Sequence, residues 1–149
     1  MGNDRTPGPG GRAPGERTIL VRAIALLWTI GLAVRAGQFI GVMPILLRPR
    51  RLRSDCSPER LAEIVSLAAT RCWPRPTCLT RALVLGRLLI ACGWEAHVVV
   101  GVDRRRGEFA AHAWVECGGQ VHGHDPCGAP HFSPVCRFAR AGVVTSVTS

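Results

Sequence analysis

The sequence predicts an α+β domain, with helices first and an antiparallel sheet after them. Three observations carry this. Apolar residues recur at helical spacing between Ser57 and Cys92. From Ala96 the pattern switches to strict alternation. Gly118-Gly119 then interrupts the alternating stretch where a two-residue hairpin loop belongs. Helices followed by strands, rather than interleaved with them, give the α+β arrangement.

The elements follow in order. Residues 1–16 are rich in Gly, Pro and charge, a composition expected to stay disordered. Residues 17–55 form an apolar N-terminal segment and a basic connector. Arg17 to about Leu47 reads as one or two helices, broken near Gly37 and Pro44, and Arg48–Asp55 as the connector. The apolar run Ala23–Val34 is short for a membrane span. A signal peptide fits it poorly, because a long polar lead precedes it and Arg35 falls inside the candidate cleavage site. A helix that packs on its own domain or on a partner is expected, with membrane association left open.

Residues 56–149 read as the main domain. Ser57-Pro58-Glu59 is a helix start: a hydroxyl N-cap, Pro at the first helical position and an acid in the first turn. Leu61, Ile64, Val65 and Ala68 give that helix one apolar face. Trp73-Pro74-Arg75-Pro76 breaks the chain, and Thr77 caps a second helix running from Cys78 to Cys92. Gly93 stands where a left-handed C-terminal residue belongs. Ala96, Val98, Val100 and Val102 share one face of a strand, and residues 103–108 turn. A second strand, 109–117, carries Ala111, Ala113 and Val115 on one face and His112, Trp114 and Glu116 on the other. Gln120–Asp125 is the third strand. From Cys127 the sequence reads as irregular.

Length and composition bound the rest. A chain of 149 residues suits one domain with a core of its own. All 19 basic residues are Arg, and the net charge is +9. A basic surface favours acidic partners. The runs Arg48, Arg50, Arg51, Arg53 and Arg104-Arg105-Arg106 read as solvated connector and turn. They lack interleaved aromatics or a recognition motif, so a nucleic-acid partner is not expected. Seven Cys, an odd number at irregular spacing without a CxxC pair, signal neither a disulfide framework nor a structural zinc site. They fit a reducing, cytoplasmic compartment.

A reactive thiol needs a setting that favours the thiolate. Cys78 directly follows the N-cap, where unpaired backbone N–H groups and the helix dipole supply it. Cys92 lies at the opposite end, Cys72 precedes the Trp-Pro break and Cys117 borders a turn. The hairpin adds the second piece. With Gly118-Gly119 as loop, 117 pairs with 120 and 116 with 121; continued, the register sets His112 opposite Asp125 on one face. Directly opposed Cβ atoms lie about 4.5–5.5 Å apart. A carboxylate there accepts from one imidazole nitrogen and leaves the other for a thiol. His124 falls on the other face. Cys, base and orienting acid together make the activated-nucleophile pattern. Trp114, two residues from His112 on the same face, is expected to pack rather than to wall a cleft.

Thr77-Cys78-Leu79-Thr80-Arg81-Ala82-Leu83, Ala111-His112-Ala113-Trp114-Val115-Glu116 and His124-Asp125-Pro126 resemble the transglutaminase-like peptidase domain of lasso peptide biosynthesis B2 proteins, over roughly residues 56–140. The resemblance implies a papain-like fold with a Cys-His-Asp triad, placing the nucleophile on Cys78, the base on His112 and the acid on Asp125. It implies removal of the leader from a ribosomally made precursor peptide, without cofactor or metal. It also implies partners: the precursor, a separate leader-recognition protein and an asparagine-synthetase-like lasso cyclase. Residues 1–55 do not read as a fused recognition domain, which suggests the stand-alone type, with the N-terminal helix as its docking surface.

Other readings stand beside this one. His122, His124, Asp125, Cys127, His131 and Cys136 form a dense set of possible metal ligands without standard zinc spacing. The arginine runs alone would suit a basic nucleic-acid- or membrane-binding module. A transglutaminase uses the same triad to pass the acyl group to an amine instead of water.

Overall fold

Two hydroxyl caps set the frame of the helical layer. The computed structural model describes residues 14–38, 49, 51–52, 56–103, 110–123, 131–139 and 142–144. Helix α1 spans Pro14–Arg35, α2 Pro58–Thr70 and α3 Cys78–Ala91. Ser57 Oγ accepts from Arg60 N at 3.3 Å, and Thr77 Oγ1 accepts from Thr80 N at 3.2 Å. Each thereby satisfies one orphan donor of its first turn. Both starts match the sequence expectation. Past the end of α3, Gly93 takes φ +94°, the left-handed conformation that a side chain resists.

Helix α1 begins at Pro14, inside the stretch expected to be a tail, and ends before Gly37, whose φ is +71°. Glu16, in its first turn, receives Arg60 Nε and Nη2 at 2.8 and 2.9 Å. This ion pair joins α1 to α2 across a partly buried contact, so the helix gains an anchor that composition alone does not reveal. By length and composition, residues 15–35 of α1 could cross a bilayer. Here Ile19, Leu20, Ala23, Leu27 and Ile30 recur at helical spacing and are buried in the core shared with α2 and α3.

Five strands follow: β1 Ala96–Asp103, β2 Ala110–Cys117, β3 Gln120–His122, β4 Ser133–Ala139 and β5 Gly142–Val144. All neighbours are antiparallel, in the order β3-β2-β1-β4-β5. The β2–β3 register is the expected one: Cys117 opposite Gln120, Glu116 opposite Val121 and Val115 opposite His122. Strand β3 ends at His122 rather than running to Asp125, because Gly123 bends with φ +131°. Asp125 itself lies outside the described residues, as do His124, Cys127, Arg48, Arg50, Arg53 and Arg104–Arg106.

The C-terminal stretch corrects the expectation of irregular chain. Strand β4 pairs with β1 along the edge opposite β2. Its register shifts where Val100–Cys136 gives way to Gly101–Pro134. Proline has no N–H to give a ladder, so an irregularity falls naturally there.

One face of the sheet closes the core. Ala96, Val98, Ala113, Val115, Cys117 and Phe138 pack with Leu83, Leu85, Leu88 and Leu89 of α3. The other face carries a smaller cluster, Val99 and Trp114 with Val121 and Phe132 against them. Trp114 is 3% exposed, so it packs as expected, on the face away from the helices.

Candidate active site

Cys78 is the first residue of α3 and is half-buried at the margin of the main core. Thr77 Oγ1 takes Thr80 N, and Arg81 N bonds to Thr77 O at 3.0 Å. The amides of Cys78 and Leu79 remain as the uncapped donors of the first turn.

The other described cysteines sit in different settings. None of the six is in a disulfide. Burial pushes the Cys72 thiol up, and its Sγ donates to Ala68 O at 3.4 Å. Burial also pushes the Cys117 thiol up, with the charges of Glu59 and Glu95 adding to the effect. Both are thereby held in the unreactive thiol form.

His112 stands near the start of β2, directly opposite Gly101 of β1. Its ring stacks on Trp114 with centroids 6.2 Å apart and meets Phe132 at 5.2 Å. A Cβ on Gly101 would stand 2.7 and 2.9 Å from Trp114 Cη2 and Cζ3, and 3.0 Å from Phe132 Cβ. The missing side chain therefore lets the indole lie flat on β1 beside the imidazole. Trp114 Nε1 donates to Glu116 Oε1 at 3.2 Å, and Arg137 Nη1 holds Glu116 Oε2 at 2.7 Å. This chain of contacts fixes the wall against which His112 rests. His112 Nε2 is itself buried and has no hydrogen-bond partner. Buried ring nitrogens are ordinarily paired, so one without a partner marks strain, chemistry or an awaited ligand.

Helix and sheet geometry relate the two residues. The chain reverses between α3 and β1, where Trp94 N bonds to Leu89 O at 3.0 Å. Gly86 lies against Val98, and a Cβ there would be 2.6 Å from Val98 Cγ2. From Gly86 back to Cys78 the helix rises about 12 Å, while Val98 to Gly101 advances about 10 Å. Cys78 opens α3, and the Gly101–His112 pair lies near the end of the sheet where Ala110 and Ala111 are exposed.

The two differ in the face they use. Ala113 and Val115 meet the helical layer, so alternation turns the His112 ring to the side that holds Trp114. The structure shows no contact between the Cys78 thiol and the His112 ring: the thiol sits at the helix-side core and the ring lies on the opposite face of the sheet. Asp125, the expected acid, lies outside the described residues.

Of the possible metal ligands, His124, Asp125 and Cys127 lie outside the described residues, and the others do not assemble. Among the described residues no group of three His, Cys, Asp or Glu could hold an ion. His122 is buried on β3 while Cys136 is on β4, with β2 and β1 between them. Three strand spacings separate them by about 14 Å, far beyond a shared ion.

Sequence reasoning missed three residues here. Gly101 was legible as an isolated glycine inside an alternating strand, a mark of close approach. Arg81, half-buried and one helical turn from Cys78, was legible as a charge on an apolar helix. Phe132 gave no signal, because its stretch could not be placed.

Comparison with known proteins agrees with this arrangement. Residues 23–137 match the family described as the Transglutaminase-like superfamily. A stretch of 44 residues is 48% identical to the microcin J25-processing protein McjB of Escherichia coli. It covers 30% of this chain and 20% of that protein, so the alignment is local. No solved structure matches. With a match over most of its length, the chain belongs to the transglutaminase-like superfamily.

Proposed function

We propose that this chain is a cytoplasmic cysteine peptidase that removes the leader from a ribosomally made lasso peptide precursor. Cys78 is its nucleophile, His112 its base and Asp125 the acid that orients the base. The observation that carries the reading is the buried, unpartnered Nε2 of His112, in a chain whose Cys78 opens a helix. The local likeness to a protein named for processing microcin J25 supports the substrate class.

In this reading His112 takes the Cys78 proton, and the sulfur attacks the carbonyl carbon at the leader–core junction. The negative charge passes to the carbonyl oxygen, which the Cys78 and Leu79 amides receive. Removing one such donor elsewhere costs about 2.7–4 kcal/mol. As the carbonyl re-forms, the C–N bond breaks and His112 returns the proton to the leaving amine. The acyl group remains as a thioester on Cys78. Water, deprotonated by His112, then hydrolyses it and frees the thiol. A separate recognition protein presents the leader, and an asparagine-synthetase-like cyclase consumes the freed amine.

The test follows precursor cleavage by mass spectrometry, with the recognition protein present. Cys78→Ala and His112→Ala eliminate cleavage, and Asp125→Ala impairs it. Normal turnover by Cys78→Ala refutes the assignment. A leader recovered joined to an added amine, instead of as the free acid, marks acyl transfer rather than hydrolysis.

A further inference from the structure

Arg81 begins where the proposed mechanism leaves off. It lies three residues after Cys78 on α3, so the two share one side of the helix, with Cβ atoms about 5–6 Å apart. Its side chain is half-buried, and its Nε is buried with no hydrogen-bond partner. A buried guanidinium nitrogen is ordinarily paired. Two other arginines of this protein hold carboxylates. Arg137 also has a buried, unpartnered Nε, but its Nη1 holds Glu116 at 2.7 Å. Arg60 holds Glu16 at 2.8 Å and Glu63 at 2.6 Å. Arg81 has its Nε buried and, among the described residues, no carboxylate against it.

Its position says where the anion comes from. Thr80 and Ala82 flank it on α3, and Ala82, Leu83, Val84 and Leu85 are buried, so that stretch of the helix offers no acid. One turn towards the N-terminus is the sulfur that carries the acyl group in the proposed reaction. A peptide residue spans about 3.3–3.6 Å. An acidic side chain within two residues of the attacked carbonyl therefore reaches the guanidinium, whose planar fork suits a carboxylate.

We propose that Arg81 is a specificity-determining residue: it binds a carboxylate on the acyl side of the substrate, within two residues of the bond that Cys78 attacks. This rests on the assignment of Cys78 as nucleophile. It narrows the substrate class to peptides with an Asp or Glu just before the cleavage point.

Acetylated dipeptidyl chloromethyl ketones test it on the full chain. The Cys78 sulfur displaces chloride from the probe and forms a thioether, which mass spectrometry locates. Probes carry Glu or Gln at either residue, so each pair differs only in charge. In the native protein the Glu probe of at least one pair labels Cys78 roughly 10–100-fold faster than its Gln partner. Arg81→Gln brings that ratio near one, and Arg81→Lys restores part of it. Higher salt lowers the native ratio. A native ratio near one for both pairs overturns the proposal, as does a ratio that Arg81→Gln leaves unchanged. If neither probe labels Cys78 while other cysteines react, the nucleophile assignment fails and this inference falls with it. Labelling of Cys78 without charge preference defeats the inference alone.

Discussion

Gly101→Ala probes the contact that seats His112. The new methyl would stand 2.7 and 2.9 Å from two indole carbons and 3.0 Å from Phe132 Cβ. Real Cβ atoms do not come this close, so the ring, the strand or both must move. The indole cannot simply swing aside. It is 3% exposed, packed against Val99 and tied to Glu116 through Nε1 at 3.2 Å. Overpacking of this kind costs about 1–3 kcal/mol. Replacing a strand glycine by alanine returns about 0.5–1 kcal/mol of backbone entropy. The balance is a loss of up to about 2.5 kcal/mol, or a Tm lowered by up to about 10 °C for a chain of this size. Cleavage should fall further than stability, because the displaced indole stacks on the imidazole. A misplacement near 1 Å costs about 100-fold in rate. Thermal unfolding followed by circular dichroism, with precursor cleavage at a temperature where the variant is folded, measures both. An unchanged Tm together with unchanged turnover would refute the idea that the bare backbone at 101 positions the histidine.

Two further outcomes follow from the structure. Thr77→Ala removes the acceptor of Thr80 N and costs about 1 kcal/mol; urea unfolding should show the lowered midpoint with an unchanged m-value. Cys72 and Cys117 have thiols pushed up in pKa by burial, so their ionised fraction in the folded protein grows only at higher pH. The unfolded chain ionises these thiols first, so their contribution to stability is present below the ordinary thiol range and is lost as pH rises through it. Iodoacetamide at pH 7.5, read by peptide mapping, should therefore label Cys78 before either of them, and earlier labelling of Cys72 would contradict the ordering.

Much of this architecture was legible because local chemistry decided it. Ser57 and Thr77 announce their helices through side-chain oxygens that act within one turn, and both cap as the sequence indicates. Gly118-Gly119 set the β2–β3 register, since a two-residue loop allows one pairing and alternation forbids a slip. What stayed hidden depends on distant partners. Strand β4 holds Pro134, which argues against a strand until β1 supplies an irregular register beside Gly101. The start of α1 rests on Glu16 finding Arg60, a pairing between segments far apart in the chain. For the site, the helix setting of Cys78 and the strand setting of His112 could be read directly. The unpartnered nitrogens of His112 and Arg81 could not, because the lack of a partner is a property of the packed molecule.

Helix α3 lies with α1 and α2 on one side and β1 and β2 on the other, and Leu83, Val84, Leu85, Leu88 and Leu89 are at most 1% exposed. Amide hydrogens along its middle should therefore exchange with solvent only when the whole molecule opens. The sulfur rides on the segment least able to fluctuate. An incoming chain must be threaded to a stationary atom, and any adjustment during turnover has to come from the surrounding strands and connections.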